Sequence, residues 1–213
     1  FQHQLTLEVA YDGLLKRARP ELHRRVAEAL ERLYPERLEK QLRLLAHHWE
    51  RAGETERAVD FLRRAGEQAA AQYANEEALA YLDRALALIP SDSLEIRYEV
   101  LMARESIHDL RGDRAAQAKD LAQLRSLAGL LNDGGCIGAR RRAGVALREA
   151  HFHAAITDQD AFASAAKAAV KFSRDAEDLS LQAESYMLWN VVLHHRGWDS
   201  DQQYTYPEQA LEL

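Results

Sequence analysis

Nine histidines are the first residues in this chain to suggest chemistry. His47-His48 and His194-His195 are adjacent pairs. On a helix, consecutive side chains point about 100° apart, so neither pair can close on one ion. His151 and His153 stand two apart, on nearly opposite faces. The His-x-x-x-His spacing of a helical metal site is absent, and we expect no metal. The histidines read as surface or packing residues, with His23 and His47 packing or hydrogen-bonding near the N-terminus. Cys136 is the single cysteine, which excludes an internal disulfide and a cysteine-based zinc site and fits a reducing compartment. It follows a Gly134-Gly135 turn near a helix start, where a thiol pKa falls. No His or acid is set beside it in the sequence, so it reads as an ordinary thiol. Arg140-Arg141-Arg142 is a basic cluster on a helix, either a solvated face or a seat for phosphate or an acidic peptide. No Gly-x-x-x-x-Gly-Lys-Ser/Thr loop occurs. We therefore expect no catalytic residue and no cofactor in this chain.

Composition narrows the class. The 213 residues are 47% hydrophobic and 29% charged, with 10 Gly and 4 Pro, which excludes disordered and collagen-like chains. No run of apolar residues is long enough to span a membrane. The 28 basic and 34 acidic residues give a net charge of −6, too acidic to announce nucleic acid. Charge is uneven: residues 1–64 are slightly basic and residues 172–213 acidic. The chain opens on Phe1 without a secretory signal, and we expect a piece of a longer, cytoplasmic protein.

The elements that must position these residues are helices. Leu22, Val26, Ala29, Leu30 and Leu33 recur at helical spacing, as do Leu38, Leu42, Leu45, Ala46 and Trp49. Val59, Leu62, Ala65 and Ala69 form a third stripe, and Leu79, Leu82, Leu86 and Ile89 a fourth. Pro20, Pro35, Gly53, Pro90, Gly112 and Gly197 punctuate them, and Asn132-Asp133-Gly134-Gly135 is the strongest turn. The spacing predicts helices over 5–18, 20–34, 36–52, 54–72, 75–89, 92–111, 113–131, 136–156, 159–174 and 178–196, with no sheet. Trp189 reads as core filling between helices, and Trp198 as a cap on the end of the stack.

Residues 56–65 and 76–85 share Glu, Ala, Leu and Ala at the same places, twenty apart. The alanines let a neighbouring helix approach, as in hairpins that bury their apolar faces by stacking. Leu42, Leu45-Ala46, Trp49, Gly53-Glu54, Ala58, Leu62 and Ala65 resemble the tetratricopeptide repeat in order. Ala78, Leu82, Ala85 and Pro90 match the second half of the next unit. Arg111-Gly112-Asp113, Thr157-Asp158 and Arg196-Gly197 look like later turns of degenerate units, in which Gln117 and Lys167 stand where small or apolar residues are usual. The turn spacings exceed the regular period of about 34, which longer helices and one shared helix (54–72) explain. The resemblance implies an all-α fold, an α-solenoid of antiparallel helical hairpins in a right-handed superhelix.

The N-terminal residues are similar to something narrower. Phe1, His3, Leu5, Glu8-Val9-Ala10-Tyr11 and Leu14-Leu15 lead into Leu22-His23-Arg24-Arg25-Val26-Ala27-Glu28-Ala29-Leu30-Glu31, then Leu44-Leu45-Ala46-His47-His48-Trp49-Glu50-Arg51-Ala52-Gly53 and Tyr73-Ala74-Asn75-Glu76-Glu77-Ala78. This resembles the junction in bacterial signalling ATPases between a winged-helix segment and a tetratricopeptide region, as in proteins fused to adenylate or guanylate cyclases or in LuxR-like transcription regulators. The resemblance implies a winged-helix or connector remnant over 1–35, with Phe1 and His3 in its last strand, and a repeat domain over 36–213. It implies that the ATPase module and the output domain lie elsewhere in the parent protein.

In the register of that repeat, the groove-facing positions of the first helices are Lys40, Arg43, His47 and Glu50; Glu99, Met102, Ser106 and Asp109; Val145, Arg148, Phe152 and Ala155; and Glu184, Met187, Val191 and His194. Of these, Lys40, Arg43, His47, Met102, Asp109, Arg148, Phe152, Met187 and His194 are the candidate binding residues. They suit a protein, a peptide or a small effector better than DNA. Two functions follow as expectations: a non-catalytic binding module that biases the adjacent ATPase, or a structural module that self-associates through open solenoid ends.

Overall fold

A computed structural model describes residues 15–196. The expected helix over 5–18 and the features at Phe1, His3, Gly197, Trp198 and Pro207 lie wholly or mostly outside them. Among the described residues there is no strand, and nine α-helices follow one another. They are α1 (Arg19–Leu33), α2 (Leu42–Ala52), α3 (Thr55–Ala71), α4 (Asn75–Leu88), α5 (Leu94–Arg111), α6 (Arg114–Leu130), α7 (Cys136–Ala155), α8 (Gln159–Asp175) and α9 (Leu179–Arg196). Short 3-10 turns cover Lys16–Ala18 and Pro35–Lys40. The helix expected over 36–52 is therefore two pieces, with a break at Gln41. The chain divides into two compact units, the first ending at Ile107 and the second beginning at His108.

One turn recurs five times. Gly53, Tyr73, Gly112, Thr157 and Glu177 all have positive φ, from 53° to 77°. Each follows a helix, and the next residue leads into another. At Gly53-Glu54 the Gly53 N–H donates to the Glu50 carbonyl (3.1 Å) and the Glu54 N–H to the Trp49 carbonyl (3.2 Å). The same pair of bonds closes Tyr73-Ala74, Gly112-Asp113 and Thr157-Asp158. This Schellman-type ending satisfies the last carbonyls of one helix while reversing the chain. Asp113, Asp158 and Asp178 then cap the following helix, each accepting the backbone N–H three residues on at 3.1 Å. The cap on the Leu181 N–H, then the bond from Arg140, hold the Asp178 carboxyl below the usual range.

Register follows from the turn. Five, nine and twelve residues after Gly53, Tyr73, Gly112 and Thr157 lie Ala58, Leu62 and Ala65; Ala78, Leu82 and Ala85; Gln117, Leu121 and Leu124; and Phe162, Ala166 and Ala169. All twelve are buried. Gln117 occupies such a core position because its amide is satisfied: it donates to Asp109 Oδ1 (3.2 Å) and accepts from Arg114.

In the first unit, α1 packs on α2, α2 on α3 and α3 on α4, around Leu42, Leu45, Trp49, Leu62 and Leu82. Gly66 permits the close approach of α3 and α4, since a Cβ there would stand 2.9 Å from Leu82. The α1 stripe is a correction to the sequence reading. Leu22, Val26 and Leu33 are exposed, and the face toward α2 is instead His23, Ala27 and Glu31. Polar bonds to His48 and Trp49 choose that face, and fully buried Ala27 lets the helices close between them. In the second unit, α7 touches α6, α8 and α9, and α8 also packs on α9. Trp189 packs partly buried against the Ala150, Phe162 and Ala165 cluster, as expected of a core filler.

Three stability outcomes follow. Tyr73 is 90% exposed, so Tyr73→Gly loses no packing and relieves the left-handed strain; net of chain entropy it gains about 0.5–1 kcal/mol. Gly53→Ala loses about 1 kcal/mol. Melting temperatures moving in opposite directions for the two variants are the check. Ala58 is fully buried, and Ala58→Leu overpacks the α2–α3 contact by roughly 1–3 kcal/mol. Urea titration reads that loss, and an unchanged midpoint contradicts the register.

Candidate functional site

Three places in the described residues gather groups with chemical potential. The first is a histidine cluster between α1 and α2. His23 Nδ1 lies 2.9 Å from His48 Nδ1, and His47 stacks edgewise on both rings, with centroids 5.7 and 5.4 Å away. One ring of the bonded pair must donate and the other accept, so the pair cannot be doubly protonated without breaking. Burial, then the charges of His23 and His47, lowers the His48 pKa to about 4. Burial, then His47 and Arg51, lowers that of His23 as well. Among the described residues, no group of three or more His, Cys, Asp or Glu side chains is placed to hold a metal ion.

The second place is the face formed by the expected groove residues. Lys40 just before α2, Arg43 in its first turn and His47 at its middle are exposed. Glu50, which shares their face, is engaged by Arg84 of α4. Met102 is half-buried in α5. Asp109 is tied to Arg114 (2.5 Å) and Gln117. In the second unit, α7 and α9 are neighbours, bridged by His151 Nε2 to Glu184 at 3.6 Å. That contact brings half-buried Arg148 and Phe152 onto the same pair of helices as exposed Met187 and His194. Val145, placed outward by the repeat register, is buried.

The third place was not foreseen. A groove of about 460 Å³ runs along α7 between α6 and α8. Its walls are Arg125, Ala128 and Gly129 from α6; Arg142, Val145, Ala146, Glu149 and His153 from α7; and Ala161, Ser164, Ala165, Ala168 and Phe172 from α8. None of the nine candidate binding residues lines it. The lining of α7 is turned by about one residue, roughly 100°, from the register that predicted Arg148 and Phe152. The three neighbouring arginines do not act together. Arg140 binds Asp178, and Arg141 reaches the Leu131 carbonyl at 3.5 Å. Arg142 lies over the Phe172 ring with its carbon 4.5 Å from the centroid. Arg125 donates to Glu149 at 2.6 Å, and that bond, first among its causes, raises the guanidinium pKa. Cys136 is exposed at the first residue of α7, and no helix among the described residues is long and apolar enough to cross a membrane.

Compared with known proteins, the chain matches no family model, and no curated protein matches it.

The histidine pair has a pH consequence of definite sign. The unfolded rings take up protons near pH 6.5, whereas the folded His48 resists until about 4. The unfolded state therefore binds more protons between those values, and stability falls as the pH drops from 6.5 to 4. Allowing for partial exposure, the loss is about 1 kcal/mol, or about 2–4 °C in melting temperature. His48→Gln flattens this part of the profile. Equal acid sensitivity in the variant and the parent contradicts the assignment.

Proposed function

We propose that this chain is a non-catalytic helical-repeat module that binds a protein, a peptide or a small effector within a multidomain bacterial signal-transduction regulator. The observation that carries the reading is the recurrent hairpin: one left-handed turn, one capping position and one buried register, used again and again. Such hairpins bury their faces against each other and leave rows of helix positions free for partners. In this reading they form a right-handed tetratricopeptide-type solenoid. The nearby ATPase module of the parent protein is the element biased, and the cytoplasm is the compartment. Coupling requires that the bound partner favour one state of that ATPase over the other.

The binding face in the second unit is that of α7 and α9. Arg148 supplies a charge, while Phe152, Met187 and Val191 supply apolar contacts. A mixed face of this kind suits an extended or helical peptide with an acidic and an apolar side, and neither DNA nor a membrane.

A second reading has its own observation. Leu179, Met187 and Val191 of α9 are all exposed, by 53%, 68% and 41%. Exposed apolar residues gathered on one helix favour self-association, which makes the module a purely structural, oligomerising one.

A displayed peptide library selected on the chain separates the two readings. Selected peptides should lose at least about tenfold in affinity with Phe152→Ala or Met187→Ala, the cost of truncating a central anchor. They should be indifferent to Asp60→Ala and Asp83→Ala on α3 and α4. Loss with the aspartate variants alone rejects the face. Sedimentation velocity tests the alternative: a concentration-dependent dimer that dissociates with Met187→Asp supports the structural module.

A further inference from the structure

The groove along α7 contains a cation whose charge nothing nearby answers. Arg125 is committed to Glu149, Arg140 to Asp178, and Arg141 to the end of α6. Arg142 has no hydrogen bond or ion pair among the described residues. Its Nε is buried without a partner, and its guanidinium rests flat over Phe172. A half-buried guanidinium with an unsatisfied donor is costly unless an anion completes it. The ring beneath restricts the side chain, so little ordering is left for a ligand to impose.

The rest of the groove limits what that anion can be. Ala128 and Gly129 on α6, Ala146 on α7, and Ala165 and Ala168 on α8 line it without polar side chains. Glu149 lies two helical turns along α7 with its charge already answered by Arg125, so no unpaired cation waits there for a second negative charge. The span from Arg142 to Glu149 is about 10 Å along the helix, the length of a chain of about eight carbons. The volume of about 460 Å³ lies in the range of small-molecule sites.

We propose that this groove binds a small amphipathic monoanion, a carboxylate on an apolar chain. The carboxylate pairs with the Arg142 guanidinium and the chain lies on the alanine-lined floor toward Ser164. Charge complementarity selects this occupant: one unpaired cation at one end, the already paired Arg125 and Glu149 farther along, and an alanine-lined floor between them. The site gives the proposed binding module a class of effector. It rests on that reading for its biological role only, since the groove is separate from the α7–α9 face.

Octanoate is the probe, with octanol and octylammonium as controls of equal length. Isothermal titration of the full chain should show octanoate binding at least about tenfold more tightly than octanol, the worth of a charge-assisted hydrogen bond. Octylammonium should bind more weakly than octanol. Arg142→Gln should bring octanoate down to the level of octanol, while Arg142→Lys retains a preference for the anion. Ser164→Trp fills the exposed side of the groove and should abolish binding of both. Arg140→Gln should change nothing. Unchanged helical circular dichroism in each variant separates lost binding from lost fold. Octanoate binding no tighter than octanol, or indifference to Arg142→Gln, overturns the proposal. So does a chain that ignores octanoate but forms a dimer that Ser164→Trp abolishes, because the occupant is then a second copy. Failure here leaves the α7–α9 peptide selections standing, so the two ideas fail separately.

Discussion

A single backbone conformation governs this architecture. To reverse direction within two residues and still satisfy the last carbonyls of a helix, the chain must place one residue in the left-handed region. Five hairpins here do so, at Gly53, Tyr73, Gly112, Thr157 and Glu177. At Gly53, Tyr73, Thr157 and Glu177 the turn is so short that the two helices it joins pack directly on each other. It also fixes the rotation of the second helix, which is why the residues five, nine and twelve places on are buried after Gly53, Tyr73, Gly112 and Thr157. Three of the five positions are not glycine, and for Thr157 the conformation is unusual for a β-branched residue. At Thr157 and Glu177 the compensation lies in the cap that follows: Asp158 and Asp178 accept from N–H groups in the first turns of α8 and α9.

Polar ties then choose between faces that apolar burial leaves equivalent. The buried Trp49 indole donates to Glu31 Oε1 at 2.7 Å, and Arg57 bonds the same carboxylate while lying 4.5 Å over the indole ring. One carboxylate thus joins α1, α2 and α3. Most of the other ion pairs, such as Arg104–Asp83, have a partner in solvent and contribute little stability. The Trp49–Glu31 bond differs because leaving a buried indole N–H unpaired costs about 1–3 kcal/mol. It also orients α1, whose apolar residues Leu22, Val26 and Leu33 point away from α2.

Much of this was legible in the residues. The stripes of α2 and α3 fall on the core face, and the Ala, Leu and Ala of the twenty-residue echo between 56–65 and 76–85 are buried, while its Glu is exposed. The hairpin turns at Gly53, Gly112 and Thr157 were visible because Gly and an Asp cap announce them. Tyr73 and Glu177 were harder to see, because neither residue type favours positive φ and no glycine marks either turn. The α1 face was misread because hydrophobic spacing assumes that the buried stripe is apolar, whereas His23 and Glu31 are held there by bonds to α2. The groove was missed for a different reason. Gly138, Ala139, Ala143, Val145, Ala146, Leu147, Glu149 and Ala150 are all buried, so α7 has no single inner face from which a register can be read. A helix packed against three others carries no clear periodicity.

Alanine explains both the tight contacts and the open one. In the first unit, buried alanines share one cluster with large side chains: Ala46, Ala58, Ala78 and Ala85 with Trp49, Phe61, Leu62, Tyr81 and Leu82. The small residue admits the helix and the large one fills the remaining space, as close packing requires. Along the groove the balance shifts. Ala128 and Gly129 of α6, Ala146 of α7 and Ala161, Ala165 and Ala168 of α8 line one channel, with Val145 and Phe172 as its larger apolar residues. Phe172 is occupied beneath Arg142, so it does not close the gap. The same residue type that brings two helices together therefore leaves a third side unfilled, and the open volume in the second unit is a consequence of composition at one contact, with no irregularity needed in the helices around it.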